Sequence, residues 1–400
     1  MKYRQRIVIV GGGVTGLMLA ARLAKSRQVA AYEIALIDGA PRPAFSPEAD
    51  VALRVSAIAT GSAELFEEVG AWAAVAAARL SPYESMRVWD HNEPPEGPAT
   101  LGFDAAEFAV PQLGFIVENV LLQHALLEVL DELDVTMRFE TPIRALRQTG
   151  QRYVLDLGAS GTLEADLVVA ADGARSFLRN AAGIETRRWP YDQTAFVTHL
   201  ETELPHRQTA WQRFTAEGPL GILPLADGRV SVVWSTTPAR ARAASEASDG
   251  ALSDMLTAAS DHVLGTLRVA GPRGAFPLCA QHAARYVLPG LALIGDAAHA
   301  IHPLAGQGAN LGLQDAAELA SVVEAATGAG LHPGDLPVLR RYERARKGAN
   351  ATMLHLMTGL NRLFTTDSVI AGQLRTAGMR LFNRSGPIRE RAVKVALGVG

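Results

Sequence analysis

The first forty residues alternate between apolar runs and a glycine-rich turn. Arg6–Val10 is a continuous apolar run that predicts a buried parallel strand, and Val14–Lys25 has apolar positions at helical spacing. A second apolar run over 32–37 predicts another strand, which ends at Asp38. Strand, helix and strand in this order form the first unit of a doubly wound sheet. We therefore expect an α/β fold.

The spacing of apolar residues changes its character twice further along the chain. Residues 189–277 consist of short alternating segments rich in β-branched and aromatic side chains, which predicts mostly antiparallel strands, for example over 195–200, 210–215 and 230–236. From Asn310 to the end the spacing is helical. Apolar spacing also predicts a helix with Ile58, Leu65, Phe66 and Val69, helices over 73–78 and 119–133, strands over 135–139 and 291–294, and a hairpin of 152–157 with 162–170.

The length of the chain predicts more than one domain. Four hundred residues exceed what one hydrophobic core usually fills, so two closely packed domains are expected. The buried strand over 291–294 returns to the pattern of the N-terminus after the antiparallel section. We predict a doubly wound α/β domain of residues 1–75, 105–185 and 278–330, an inserted, mostly antiparallel β domain of 76–104 and 186–277, and C-terminal helices over 331–400.

Composition and charge narrow the classes of protein that fit this pattern. The chain is 48% hydrophobic and 20% charged, as expected of an ordered globular protein. Its formal net charge of −3 offers no general attraction for phosphates, so a nucleic-acid partner is not expected. Cys279 is the only cysteine, which excludes an internal disulfide, a thiolate zinc cluster and a Cys-x-x-Cys redox pair. Redox chemistry would therefore need a bound cofactor.

The N-terminus imitates a secretory signal, because Lys2, Arg4 and Arg6 precede an apolar run over 7–21. We interpret that run as a strand, a turn and a helix, since four glycines interrupt it between positions 11 and 16. No other segment has the roughly 20 uncharged apolar residues that a membrane span needs. A cytoplasmic location in a reducing compartment is the expectation.

The first chemical motif is Gly11-x-Gly13-x-x-Gly16. Gly11 permits a tight turn, Gly13 lets the backbone approach a pyrophosphate, and Gly16 allows close helix packing. The helix that begins at Val14 points its N-terminal amides at that phosphate. Asp38, at the end of the second strand, can accept hydrogen bonds from ribose hydroxyls. The motif predicts a dinucleotide, either FAD or NAD; a glycine-rich turn without a ligand is the alternative.

The second motif is the strand that ends in Asp172-Gly173. Such a strand brings a carboxylate and a flexible turn to the carboxyl edge of the sheet, where ligands of doubly wound folds bind. The same residues often form only a strand-to-helix turn in which Asp caps the helix. The motif by itself leaves these two interpretations equal.

The third motif runs from Leu293 through Gly295-Asp296 and His302-Pro303 to Asn310. A strand leads into Gly295-Asp296, which can bind a second polyol, and a glycine-rich loop then opens a helix at about Asn310. Backbone amides at that helix start would face the carbonyl-rich edge of a flavin and stabilise negative charge on the reduced ring. NAD-binding domains do not need this element, so FAD is favoured.

In this order and spacing the three motifs resemble those of the group A flavoprotein monooxygenases, typified by para-hydroxybenzoate hydroxylase. The string from His302 to Gly312, with 115–119 and 211–214, is similar to the narrower family of ubiquinone-biosynthesis hydroxylases. The similarity extends from Ile7 to the Ala396-Leu397-Gly398 ending. The resemblance implies FAD, bound non-covalently in a Rossmann domain like that of glutathione reductase.

The resemblance also implies roles for individual residues. Asp38 stands where the family often has Glu, and either carboxylate can reach ribose hydroxyls. Asp172 and Gly173 would serve both FAD and nicotinamide access, and Asp296 the ribityl or pyrophosphate region. Expected around FAD are Gly11, Gly13, Val14, Thr15, Gly16 and Asp38 at the ADP half, Arg54 near the flavin and pyrophosphate, Gln123 near the ribityl chain, and Pro303, Gly306, Gln307, Gly308, Ala309 and Asn310 beside the isoalloxazine.

The implied reaction is the hydroxylation of an aromatic ring. NADH or NADPH would bind transiently and reduce FAD, and O2 would supply the oxygen atom. The implied substrate is a prenylated phenol; the ring position, the tail length and any proton-transfer residue stay open. A homo-oligomer or a biosynthetic complex is also compatible with the sequence. Two rivals are a hydroxylase of secondary metabolism or aromatic catabolism and a non-catalytic prenyl carrier of the same fold.

Several other residues allow two interpretations. His299 and His302 are three apart, but no third ligand is near, so a structural or flavin-edge role is favoured over a metal site. Trp211, Phe214 and Trp234 could roof an aromatic substrate or simply pack within the sheet. The C-terminal segment could contact an anionic membrane or be a solvated helix face. Its basic residues are Arg375, Arg380, Arg384, Arg389, Arg391 and Lys394, and its apolar residues are Leu374, Met379, Leu381, Phe382, Ile388 and Val393.

Overall fold

The computed structural model describes residues 5–150, 152–366, 369–383 and 385–398. Its strands are β1 (Arg6–Val10), β2 (Glu33–Ile37), β3 (Val55–Ala59), β4 (Ser81–Tyr83), β5 (Ser85–Asp90), β6 (Leu101–Asp104), β7 (Gly114–Glu118), β8 (Val135–Arg138), β9 (Ala145–Thr149), β10 (Arg152–Asp156), β11 (Thr162–Ala165), β12 (Leu167–Ala170), β13 (Thr186–Thr202), β14 (Thr209–Thr215), β15 (Gly218–Pro224), β16 (Val230–Thr236), β17 (Leu267–Ala283), β18 (Val287–Leu288), β19 (Leu291–Leu293) and β20 (His299–Ala300).

The helices flank these strands and dominate the C-terminal third of the chain. Short 3-10 helices occur at Arg27–Val29, Ala105–Phe108, Gly158–Ser160, Gly295–Ala297 and Leu304–Gly306. The α-helices are α1 (Val14–Lys25), α2 (Thr60–Glu68), α3 (Trp72–Ala78), α4 (Asn119–Asp131), α5 (Phe177–Ala181), α6 (Pro238–Glu246), α7 (Asp249–Ala259), α8 (Gln307–Gly328), α9 (Leu336–Thr365), α10 (Val369–Asn383) and α11 (Pro387–Leu397).

A six-stranded sheet forms the centre of the first domain. Its order is β18-β19-β12-β1-β2-β8, and every pair is parallel except β18 with β19. Helices α1, α4 and α8 contribute buried residues to the same hydrophobic core, which explains why β1 and β12 are apolar at nearly every position. The predicted α/β fold class, with a doubly wound first domain, is confirmed.

An eight-stranded sheet forms the second layer of the molecule. Its order is β20-β17-β13-β16-β15-β14-β5-β6, and its pairs are antiparallel except β5 with β14. Helices α6 and α7 cover one face through a second hydrophobic cluster. Strand β17 crosses the predicted boundary at residue 277 without a break. The domain boundaries themselves stay a prediction.

Two local predictions are wrong by a few residues. Ile58 belongs to β3 and not to the helix that follows, because Val55–Ala59 pairs with β7 before α2 begins at Thr60. Helix α8 begins at Gln307, three residues before the predicted start, because Gly306 adopts a left-handed conformation that ends the preceding loop. Both errors come from long-range contacts that apolar spacing does not reveal.

The C-terminal helices are tied to the eight-stranded sheet by ion pairs. Arg375 is buried against the equally buried Asp90, at 2.9 Å, and donates to the last carbonyls of α9. Arg380, Arg389 and Lys394 lie near Glu93, Glu107 and Glu390, respectively. Much of the basic charge predicted for a membrane surface is therefore paired within the protein. Arg384 and the side chains of Leu374 and Ile388 lie outside the described residues.

Candidate active site

The turn after β1 brings three backbones into contact. Gly11 has φ of +120°, and a Cβ there would overlap the carbonyl oxygen of Ala171 at the end of β12. A Cβ on Gly16 would overlap the carbonyl oxygen of Gly11. Around the Cβ position of Gly13, in contrast, nothing lies within 4 Å. The turn therefore leaves open space in front of the N-terminus of α1, where the backbone amides could hold a pyrophosphate.

Two side chains hold this turn from opposite sides. Asp38 accepts hydrogen bonds from the backbone N–H of Gly12 and, at 2.7 Å, from that of Ala40. The Nε2 group of Gln123, on α4, donates to the carbonyl oxygen of Gly12 at 2.8 Å. A carboxylate has lone pairs for further donors, so Asp38 can still accept from ribose hydroxyls. The predicted ligand roles of Asp38 and Gln123 stay predictions.

The second motif combines both of its interpretations. One oxygen of Asp172 accepts from the backbone N–H of Leu178 at 3.1 Å, which helps to cap α5 together with Ser176. The other oxygen, Oδ1, is buried and has no hydrogen-bond partner among the described residues. Gly173 has φ of +79° and open space around its Cβ position. One oxygen of the carboxylate is structural, and the other is buried without a partner among the described residues; the ligand role of Asp172 stays a prediction.

The third motif brings Asp296 and a glycine-rich turn to the same cavity. The carboxylate of Asp296 faces the cavity, but the surrounding protein raises its pKa by desolvation, and His299 and Arg54 oppose that shift. A Cβ on Gly306 would lie 2.7 Å from that of Ala57, whereas Gly308 has open space. The first turn of α8 therefore borders the cavity at Gly306, Gly308 and Ala309.

Asn310 clamps this loop to β3. Its Oδ1 accepts from the backbone N–H of Ala59 and its Nδ2 donates to the carbonyl oxygen of Ala57, both at 2.9 Å. The side chain is 2% exposed, so its amide is occupied by the β3 backbone. The family resemblance implied that Asn310 lies beside a flavin, and the structure gives its side chain a positioning contact. Any contact with the isoalloxazine stays a prediction.

A buried carboxylate that the sequence did not indicate as functional fixes the loop between β19 and α8. Asp315, on α8, accepts from His299 at 2.5 Å and from the Gly295 backbone N–H at 3.1 Å. It also accepts from Arg346 at 2.8 Å and Asn350 at 3.0 Å, both on α9. Burial raises the pKa of Asp315, but His299 and Arg346 outweigh burial and hold that pKa below its usual value. The position of Asp315 among the apolar residues of α8 was the signal from which its burial could have been predicted.

Two further buried side chains join the second and third motifs. Arg179, with no exposed surface, donates to the carbonyl oxygens of Ala297 at 2.8 Å and Ala174 at 3.0 Å. Gln281 donates to the carbonyl oxygens of Ala174 and Asp296. The turns after β12 and β19 are thereby fixed relative to each other. Neither residue was predicted, because nothing local distinguishes a buried arginine or glutamine from an exposed one.

A cavity of about 970 Å³ lies between the three motifs and the eight-stranded sheet. Its described lining includes Gly13, Gln123, Gly173, Asp296 and Pro303 from the predicted cofactor set. The only charged side chains among the described lining residues are Arg54 and Asp296, both contributed by the first domain. The volume and the mainly apolar lining suit a flat ring system and an organic substrate.

The three aromatic residues proposed for the substrate occupy different places. Trp211 borders the cavity, but its ring packs edge-on against Trp89 on the sheet face turned toward α6 and α7. Trp234 belongs to the cluster under α6 and α7. Phe214 stacks on Phe364 with 3.7 Å between ring centroids. Phe214 and Trp234 therefore pack against other parts of the protein, and the substrate role of all three aromatic residues stays a prediction.

His302 is buried and neutral, and it connects the glycine-rich loop before α8 to the second domain. Its Nε2 lies 3.1 Å from Oε1 of Gln193, which can only accept, so Nε2 carries the proton. Burial lowers the pKa of His302 to about 4. His299 pairs with Asp315 instead. The structure thus gives the two histidines separate partners, and their predicted flavin-edge role stays a prediction.

Comparison with known proteins agrees with this architecture. Residues 4–354 match the family model described as FAD binding domain. The chain is 36% identical over 98% of both chains to 3-demethoxyubiquinol 3-hydroxylase of Escherichia coli (strain K12). It is 37% identical to ubiquinone hydroxylase UbiL of Rhodospirillum rubrum, over 98% of this chain and 89% of the relative.

A solved structure shows the same fold. Para-nitrophenol 4-monooxygenase PnpA from Pseudomonas putida DLL-E4 superposes with a TM-score of 0.77 over 99% of this chain and 97% of its own, at 19% identity. That similarity concerns the fold alone.

The site and the fold define an FAD-dependent monooxygenase. FAD fits the residues present, because Gly13 and Gly308 leave open space and Asp172 offers a free buried oxygen. The chain belongs to the FAD binding domain family and, within it, to the hydroxylases of ubiquinone biosynthesis. The predicted family, enzyme class and cofactor are confirmed; the ligand role of each residue stays a prediction.

We predict that Asp315→Asn weakens FAD binding. The amide replaces one acceptor oxygen by a donor and leaves the Arg346 guanidinium without its counter-charge, so the Gly295–His299 segment loses its anchor. The free energy of unfolding should fall by about 3 kcal/mol, as for other broken buried pairs. Fluorescence titration of the apoprotein with FAD should show a dissociation constant raised at least tenfold. Asp254→Asn, at an exposed position on α7, is the matched control; equal FAD affinity in both variants would contradict the prediction.

We predict that burial of neutral His302 makes the protein acid-sensitive. The folded pKa of about 4 lies below the ordinary value of 6.5, so the unfolded chain binds the extra proton between these pH values. Stability is complete above pH 6.5 and decreases as the pH falls toward 4, by about 3 kcal/mol for this group. Urea unfolding of His302→Gln should lose this part of the pH dependence. His355→Gln, at an exposed site, should retain it; the reverse pattern would disprove the assignment.

Proposed function

We propose that this enzyme hydroxylates the aromatic ring of a prenylated phenol in ubiquinone biosynthesis, with NAD(P)H as reductant and O2 as oxygen source. The observation that carries the proposal is the similarity to two ubiquinone hydroxylases over 98% of the chain. The apolar cavity between the flavin motifs and the sheet supports it, because a prenylated ring is large and uncharged.

The chain's own residues hold the cofactor in this proposal. Bound FAD, once reduced, supplies the oxygen-activating chemistry. The amides at the start of α1 bind the pyrophosphate beside Gly13, and Asp38 accepts from the adenosine ribose. Asp296 accepts from the ribityl region. The first turn of α8 then places backbone N–H groups at the edge of the ring system.

The cavity also orients the substrate and excludes water. Its sheet face presents small or apolar side chains such as Ala195, Val197 and Gly221, over which a flat ring can lie. Phe276 lines the cavity and is 43% exposed, so it stands at an opening through which an isoprenoid tail can leave. A dry site limits side reactions with water.

Peripheral membrane contact would deliver such a substrate, and we propose it for the C-terminal helices of a cytoplasmic enzyme. Leu356 and Leu363 lie seven residues apart on α9, so they share one face, and they are 51% and 40% exposed. Leu381 on α10 is 71% exposed. No helix among the described residues is both long and apolar enough to cross a bilayer. The proposed contact is therefore interfacial and depends on these leucines more than on the paired arginines.

We predict a hydroxylated product from 2-geranylphenol, NAD(P)H and O2. The purified flavoprotein should convert the prenylated phenol faster than para-hydroxybenzoate or other small polar phenols at equal concentration, because the sheet face of the cavity has no cation for a carboxylate. Mass spectrometry should show a gain of one oxygen atom, labelled when ¹⁸O2 is used. Preferential turnover of small polar phenols would instead assign the enzyme to secondary metabolism or catabolism.

We predict that the enzyme co-sediments with vesicles of phosphatidylcholine and phosphatidylglycerol. Replacing Leu356, Leu363 and Leu381 together by Ser should reduce the bound fraction at least fivefold, because burial of about three apolar side chains is lost. Leu204→Ser, at a comparably exposed leucine in the loop after β13, is the control and should bind as the wild type does. Unchanged binding of the triple variant would disprove this surface as the contact.

A further inference from the structure

One row of side chains across the eight-stranded sheet faces the cavity. Gln212 on β14 lies opposite Gly221 on β15, which lies opposite Val233 on β16, which lies opposite Val197 on β13. On its other side Gln212 pairs with Val88 of β5. The amide of Gln212 is thus the only hydrogen-bonding side chain in a row that is otherwise apolar.

That amide has no hydrogen-bond partner among the described residues. Gln212 is 9% exposed, and the surface that remains borders the cavity. No hydrogen bond joins its amide to any residue of the described parts of the chain, and neither Gly221 nor Val88 has a side-chain group that could supply one. An amide buried in apolar surroundings costs free energy unless a ligand or a water molecule satisfies it.

The space beside Gln212 suits a flat ring. An added Cβ on Gly221 would contact only the carbonyl oxygen of Val233, at 3.8 Å, so the sheet is open there. A ring that rests on Gly221 would present its edge substituents to Gln212. The amide offers one acceptor and two donors, which matches a ring hydroxyl as well as an ether oxygen.

The charges around the cavity limit the class of ring. The eight-stranded sheet contributes no lysine, arginine or histidine to the described lining, and Arg54, which precedes β3, acts on the carboxylate of Asp296. A carboxylate on the ring would therefore be desolvated at Gln212 without a counter-ion. An uncharged ring with oxygen substituents is the chemistry that this wall accepts.

We propose that Gln212 is the substrate-binding residue of the sheet wall and that it selects an uncharged aromatic ring by hydrogen bonds to the ring oxygens. The inference rests on the proposed function, since it assumes an aromatic substrate in this cavity.

The test is equilibrium binding to the oxidised, FAD-loaded enzyme, followed through the flavin absorbance without reductant. The probes are 2-geranylphenol, geranylbenzene, which lacks the ring oxygen, and 3-geranyl-4-hydroxybenzoate, which carries a carboxylate. Gln212→Leu and Gln212→Met keep the approximate volume and remove the hydrogen bonds. Thr198→Val is the matched control, because its buried, unpartnered hydroxyl lies on the other face of the same sheet.

The expected result is a dissociation constant for 2-geranylphenol raised about tenfold in both Gln212 variants, which corresponds to the loss of one hydrogen bond. Geranylbenzene should bind all variants equally, and the carboxylate probe should bind the wild type at least tenfold more weakly than 2-geranylphenol. Thr198→Val should match the wild type with every probe.

Three results would overturn the proposal. The first is an equal rise in the dissociation constants of 2-geranylphenol and geranylbenzene in the Gln212 variants, which indicates a structural effect. The second is no rise for either probe. The third is tight binding of the carboxylate probe to the wild type. The outcome is separable from the proposed function, which fails if the wild type binds the probes and forms no hydroxylated product.

Discussion

The buried carboxylate of Asp315 is the constraint on which the candidate active site depends. Four donors converge on it from the loop after β19 and from α9, and among them only Arg346 supplies a permanent counter-charge. A charge with no access to water must keep all its partners, so the loop after β19 has little freedom to move relative to α8 and α9. This arrangement fixes the positions of Asp296 and of the start of α8.

The glycine contacts extend the same rigidity to the phosphate-binding turn. A Cβ on Gly312 would lie 2.5 Å from the hydroxyl oxygen of Thr15, so α1 and α8 can touch only because α8 has no side chain there. Gly11 and Gly16 serve the end of β12 and the turn in the same way. The phosphate-binding turn and the start of α8 are thereby held at a fixed separation by backbone contacts, while Arg179 and Gln281 fix the turns after β12 and β19.

The second domain contributes shape more than charge. Its sheet turns bulky residues such as Trp234 toward α6 and α7 and small ones such as Ala195 toward the cavity. Period-two alternation produces this division, because neighbouring residues of a strand face opposite sides. Gln212 and Trp211 illustrate it: the polar residue faces the cavity and the larger aromatic residue faces the core. Substrate discrimination then depends on few polar atoms in an apolar wall.

The sequence by itself determined the fold class, the family and the cofactor, because each rests on local patterns. Three glycine-rich turns at strand ends, with Asp38, Asp172 and Asp296 beside them, have few structural solutions. Only the tertiary structure decided which face of β14 meets the cavity, that Ile58 lies in a strand, and that His299 and His302 have different partners. These features depend on contacts between residues far apart in the chain, such as Asn310 with Ala57 and Arg375 with Asp90. Local spacing cannot encode them, since burial and pairing arise only when the elements pack.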